Sequence, residues 1–212
     1  MSNAGAVKQQ STTNGINMEG VKALVEAVMK RQSTINGINL EDVKALIEAV
    51  KQEPREGFTH WKVTNTWKGR THMLASIESF QIGGKTVKRP FSIDIDEPLE
   101  LGGGNDHPNP QEYLIAALNA CMMVGYVTIC GLHGIALEKL EIQTEGDIDL
   151  RGFLGLDPDI PAGYRSLKSC VRIKGDGSKE EFENIHEMVA ATSPNYYNIT
   201  RPVPLTSTLV VE

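Results

Sequence analysis

Cysteine is scarce in this 212-residue chain: three thiols stand at 121, 130 and 170, an odd number without paired spacing. That excludes a disulfide framework and favours a reducing compartment, so a cytoplasmic location is expected. Basic charge is also short, with 21 Lys and Arg against 27 Asp and Glu and a net charge of −6. Nucleic acids and anionic membranes both reward basic surfaces, so neither is an expected partner. The first residues carry neither an Arg-rich presequence nor an apolar signal segment.

Charge is missing altogether from Tyr113 to Leu137, a run of 25 residues. The run is long enough to span a bilayer. Yet Asn119, Gly125, Thr128, Gly131, His133 and Gly134 interrupt it, and no basic flank fixes an orientation. A helix enclosed by protein on most sides is the expectation. Gly102-Gly103-Gly104 lacks the GxGxxG or GK[ST] arrangement, which excludes an ordinary phosphate cradle. His107, Cys121 and His133 lack the short spacings of zinc ligands, and His60, His72 and His186 read as surface or hydrogen-bonded residues. No Ser-His-Asp pattern stands out. No metal and no organic cofactor is expected.

What the chain does contain begins with a repeat. Ser11 to Gln32 (STTNGINMEGVKALVEAVMKRQ) is followed at once by Ser33 to Pro54 (STINGINLEDVKALIEAVKQEP). Each copy reads as a capped amphipathic helix. Asn17 and Asn39 are N-caps, Met18, Val21, Val25 and Val28 line one apolar face, and Leu40, Val43, Ile47 and Val50 line the other. Two copies are too few for a solenoid. Residues 1–54 are therefore expected to form a helical hairpin packed on the main domain or on a partner subunit, with residues 55–212 as that main domain.

Strand signals follow Pro54. Phe58–Trp67, Met73–Ile82 and Val87–Ile95 alternate, with turns at Lys68-Gly69-Arg70 and Gly83-Gly84. Strands are expected again over Leu137–Asp149, Tyr164–Lys174 and Val203–Val211. Ser178 with Glu181 forms a capping box for a helix reaching about Ala191. The order βββ-α-ββ-α-β predicts an α+β fold with antiparallel sheet around a long central helix.

The stretch GGGNDHPNPQEYLIAALNAC, Gly102 to Cys121, is the most informative. Pro110 suits the first turn of a helix. Leu114, Ala117, Leu118 and Cys121 then recur at helical spacing, which places the thiol on an apolar stripe. Such a thiol is inert packing unless a cation or a helix terminus activates it. Cys130 is nine residues further along, about 13.5 Å and on the opposite face. The two cannot bond while the helix is intact. Cys130 reads as packing, and Cys170 as a strand residue facing solvent or a second layer.

The ordered set DEPLELGGGNDHPNPQEYL, GIALEKLEIQTEGDIDLRGFLGLDPDIPAGYRSL and SPNYYNITRPVPL resembles the family of osmotically induced protein C and organic hydroperoxide resistance proteins, over roughly Phe58 to Glu212. The resemblance implies an OsmC-like fold and an intertwined homodimer with two sites at the subunit interface. It implies a reactive helix cysteine that reduces organic hydroperoxides, assisted by an arginine, a glutamate and a second cysteine. By spacing, Cys121 matches the reactive cysteine. By order along the chain, Arg70 matches the arginine, although the same residue also suits a solvated turn.

Better-known members carry glutamate where this chain has Gln111. Glu112 comes one step later and either orients an arginine from another angle or serves the helix N-terminus. The second cysteine precedes a proline in the family, and here that position reads Ser193-Pro194. This places the chain in a single-cysteine branch. A hydroxyl cannot resolve a sulfenic acid as a disulfide, so an external thiol must complete the cycle. Ser193 and Tyr196 are the candidate substrate-binding residues. The alternative expectation is a non-catalytic protein that binds a small apolar ligand in the same interface pocket.

Overall fold

The computed structural model describes residues 34–212, together with Thr12, Thr13, Ile16, Asn17 and Glu19. The repeat is visible at the start of both copies. Strands β1 (Thr12–Thr13) and β2 (Ile16–Asn17) pair as β3 (Thr34–Ile35) and β4 (Ile38–Asn39) do, with Thr12 opposite Asn17 and Thr34 opposite Asn39. In the second copy Asn36 and Gly37 both take positive φ, 55° and 78°, as a two-residue hairpin turn of the primed type requires. Helix α1 (Leu40–Gln52) follows, and the Asn39 side chain accepts from the Glu41 amide as its N-cap. The first-copy helix face, Met18 to Val28, lies outside the described residues.

The second copy docks on the main domain through its turn rather than through its helix face alone. Asn36 donates to the Ile135 carbonyl (3.0 Å) and accepts from the Leu137 amide (2.8 Å). Leu40 is buried, and a Cβ on Gly131 would come within 3.0 Å of it.

Strands β5 (Thr59–Trp61) and β6 (Thr64–Gly69) lie end to end along one edge of β7 (His72–Ile82), and β8 (Lys85–Ile95) takes the other edge. All pairings are antiparallel. The β7–β8 turn uses Gly83 and Gly84 at φ 53° and 74°. A second antiparallel sheet joins β9 (Leu137–Glu145) and β10 (Lys168–Gly175). Between the sheets in sequence runs the central helix α2 (Pro110–Leu132). The short helix α3 (Leu150–Phe153) interrupts the β9–β10 connection. Helices α4 (Lys179–Thr192) and α5 (Pro194–Thr200) close the described secondary structure.

The core lies where α2, α4 and the second sheet meet. Leu118, Met122, Tyr126 and Cys130 of α2 form one buried stripe at four-residue spacing, against Ile185 and Val189 of α4. Leu140, Ile142, Val171 and Ile173 pack from the strands. Gly125 allows the approach, because a Cβ there would meet both Val189 methyls at 3.3 Å. Tyr126 donates its hydroxyl to His186 Nδ1 or accepts from it, and burial with the neighbouring Cys130 pushes the phenol up to about 12. Thr144 links helix to sheet, donating to Asn119 Oδ1 at 2.6 Å.

Two expectations are corrected. Val203–Val211 forms no strand: it makes no pairing, and Leu205 is 91% exposed. Alternating apolar residues mark a sequence for β structure, but a strand exists only when its N–H and C=O groups find an edge. The buried stripe of α2 is also displaced by one position from the one that runs through Cys121. Cys121 therefore sits half-buried at the margin of the core. Strands expected over Leu137–Asp149 and Tyr164–Lys174 are observed as Leu137–Glu145 and Lys168–Gly175.

Candidate functional site

Cys121 is held beside the junction of α4 and α5. Ser193 ends α4, with its amide donating to the Val189 carbonyl at 2.9 Å, and it is also the N-cap of α5. Pro194 at the first helical position prevents the two helices from merging, since proline lacks the N–H that continuation requires. The buried Ser193 hydroxyl accepts from the Tyr196 amide (3.4 Å) and donates to Cys121 Sγ (3.3 Å). Asn195 fixes the junction against α2 by donating to the Ala117 carbonyl at 2.8 Å. The sulfur thus faces an oriented O–H donor rather than an apolar wall.

The cavity next to this junction measures about 680 Å³. Gln111, Leu114, Leu118 and Met122 supply one wall from α2, and Tyr196, Ile199 and Thr200 supply another from α5. The turn of chain from Gly163 to Leu167 closes a third side. Cys121 is flanked by this wall but does not line it, because its side chain turns to Ser193. The cavity is mostly apolar, with a few hydroxyls, the Gln111 amide and the Arg165 guanidinium as its polar groups, the pattern of a small-molecule site.

Glu112 occupies the first turn of α2 in a reciprocal cap. Its carboxylate accepts from the Asn109 amide at 2.8 Å, and its own amide donates to Asn109 Oδ1 at 2.9 Å. Within one chain this carboxylate is committed to the helix start, the second of the two roles expected for it. Gln111, one position earlier, faces the cavity.

Arg70 lies elsewhere in the chain. It sits at φ 48° in the β6–β7 turn, where the Trp67 indole donates to its carbonyl at 2.7 Å. Its side chain is exposed and lines a smaller cleft of about 430 Å³ with Lys68, His72, Asp96, Asp106 and His107. One chain therefore assembles Cys121, Ser193 and Tyr196 at one place and Arg70 at another.

Asp96 is the organiser of that second cleft, and no sequence signal marked it. It is buried, accepting from Thr71 Oγ1 (2.6 Å) and from the amides of Gly104 (2.8 Å) and Asp106 (3.4 Å). The Thr71 hydroxyl, then the backbone amides, hold its carboxyl well below the usual carboxylate range against the opposing effect of burial. Asp96 so pins the glycine-rich loop to the sheet. Gly104 has to be small here, because a Cβ would fall within 3.0 Å of both the Asp96 and Asp106 carboxylates. The cleft also gathers His72, Asp94 and His107, two histidines and a carboxylate that sequence spacing kept apart.

Cys130 is fully buried and burial pushes its thiol up, whereas Cys170 is exposed on β10.

An α+β chain with a hydroxyl-held cysteine on a central helix, beside an apolar cavity, is the class of molecule these features define. The sequence profile described as OsmC-like protein matches residues 103–208, half of the chain, and the chain belongs to that family. A comparison with curated protein sequences finds no match. A crystal structure of an OsmC-like protein from Mycoplasma pneumoniae is similar, with a TM-score of 0.52 at 17% identity over 66% of this chain and 86% of that one. Two others superpose less closely. One, from Psychrobacter arcticus, is described as a putative osmotic stress induced and detoxification response protein (TM-score 0.49, 15% identity, 66% of this chain and 88% of that one). The other, from Legionella pneumophila, is described as an organic hydroperoxide resistance protein OsmC (TM-score 0.43, 18% identity, 66% and 89%). The likeness to the Mycoplasma pneumoniae structure is one of fold.

Proposed function

We propose that the protein reduces organic hydroperoxides with Cys121, as a one-cysteine enzyme reset by an external thiol in a reducing cytoplasm. The observation that carries this reading is the Ser193 hydroxyl donating to Cys121 Sγ at 3.3 Å beside an apolar cavity. Family membership supports a peroxide-related role. In the first step the Cys121 thiolate attacks the terminal peroxide oxygen. An S–O bond forms, the O–O bond breaks, and the alkoxide leaves with a proton as the alcohol, giving a sulfenic acid. One external thiol then displaces water to form a mixed disulfide, and a second releases Cys121 and leaves as the external disulfide. Ser193 positions the sulfur, while Leu118, Met122 and Ile199 offer an apolar seat for the organic group.

Arg70 enters this scheme from a second subunit. Within one chain only 28% of the apolar window of α2 is buried. Phe58, Trp61, Trp67 and Phe91 on the first sheet are each more than half exposed. Burying what these four aromatics still expose contributes roughly 4–8 kcal/mol before association costs. An interlocked homodimer covers both surfaces and lets the cleft of one chain, with Arg70, meet the Cys121 region of the other. A guanidinium there would favour the thiolate and hold a peroxide oxygen.

The test is one equivalent of cumene hydroperoxide, dimedone trapping and peptide mapping. Dimedone is expected at Cys121 ahead of the exposed Cys170 and the buried Cys130. First labelling at either of the latter two would overturn the assignment, and no peroxide reaction at any cysteine would overturn the peroxidase reading in favour of ligand binding.

A further inference from the structure

We propose that His72, His107 and Asp94 form a binding site for a late first-row divalent cation of the zinc type. Within one chain this site lies apart from Cys121, in the Arg70 cleft that the proposed dimer brings to the Cys121 region of the other subunit, and cation binding there does not depend on the peroxidase reading. One ligand atom from each of the three residues lies within 4.8 Å of the other two. His72 Nε2 already meets Asp94 Oδ1 at 2.9 Å, and the two imidazoles stack with centroids 5.1 Å apart and planes at 26°. Ligand atoms on tetrahedral zinc stand about 3.4 Å apart at metal distances of about 2.0–2.1 Å. The cluster reaches that geometry with shifts of about 1 Å, within the reach of side-chain rotation. The cation takes the place of the direct contact between His72 Nε2 and Asp94 Oδ1.

The scaffold holds all three residues from different directions. Leu74 is opposite Asp94 in the β7–β8 register, so His72, two residues earlier, is the diagonal neighbour of Asp94 on the same sheet face. The Asp94 carbonyl is clamped by the Tyr113 hydroxyl at 2.7 Å. His107 arrives on the loop that Asp96 pins through Gly104 and Asp106. Two imidazoles with one carboxylate suit zinc, iron, nickel or copper and are a poor match for magnesium or calcium, which prefer oxygen donors. All three side chains are partly exposed, so an ion can enter from solvent. Lys68 and Arg70 flank the cleft, while Asp106 adds a further carboxylate. A bound cation therefore lies in the same cleft as Arg70, with a fourth position left to water.

The experiment uses the full chain carrying Cys170→Ser, which removes the exposed thiol, after washing with chelator. ZnCl2 is titrated against a fluorescent chelator, and the imidazole proton resonances are followed by NMR in the same titration. The expected result is saturation at one equivalent, with shifts confined to the His72 and His107 rings. His72→Gln and His107→Gln should each weaken binding by at least about ten-fold, since losing even an outer-shell partner of a metal ligand typically costs about that much. No saturable binding, or shifts at His60, His133 or His186 instead, would overturn the proposal. Because the NMR readout uses a chain with all three ligands intact, it decides the matter even where a Gln variant fails to fold.

Discussion

Replacing Ser193 by cysteine converts the Ser193–Cys121 contact into a test of the whole site. The Ser193 oxygen lies 3.3 Å from Cys121 Sγ. A disulfide needs sulfurs about 2.05 Å apart, so Ser193→Cys requires closure of only about 1 Å, which rotation of the two side chains supplies. The bridge would join residues 72 positions apart. In the chain-entropy account, closing a loop of that length restricts the unfolded chain by about 4 kcal/mol. Loss of the serine N-cap on α5 takes back about 1 kcal/mol. The net gain of about 3 kcal/mol corresponds to a rise in Tm of about 6–12 °C for a domain of this size.

The assay is mild oxidation, intact mass and a thermal melt with and without reductant. Oxidation should remove about 2 Da and leave peptides containing Cys121 and the new residue cross-linked. The melt should shift upward only in the absence of reductant. Turnover of cumene hydroperoxide with a dithiol should also rise, because a tethered thiol acts at an effective concentration in the millimolar range. A variant that folds but forms no bridge would refute the placement of Ser193 over the sulfur. A bridge without any peroxide reaction at Cys121 would keep the geometry and refute the chemistry.

Light scattering should report twice the chain mass of 23.2 kDa. A stable monomer would refute the interlocked arrangement, since such dimers seldom have a folded monomer. Asp96 should make the glycine-rich loop acid-sensitive. Its folded carboxyl titrates below the ordinary 3.8, so its contribution is complete above that value and is lost as pH falls from there toward the lowered one. Amide exchange at Gly104 and Asp106, corrected for intrinsic rates, should lose protection between about pH 5 and pH 2, and Asp96→Asn should be less protected already at about pH 6. Unchanged protection in both cases would remove Asp96 from its role.

The local elements were written in the sequence because their signals act over a few residues. Ser178 with Glu181 caps α4, Asn109-Pro110 starts α2, and Gly83-Gly84 turns β7 into β8. The three thiols were also separable by helix geometry, and the Ser193-Pro194 dipeptide marked both a helix start and the missing second cysteine. Tertiary structure decided the rest. Only folding puts Ser193 over Cys121 and brings His72, Asp94 and His107 together across two strands and a loop. Val203–Val211 shows the limit most directly: its alternation encodes a preference for β structure, and a preference becomes a strand only where another edge supplies the hydrogen bonds.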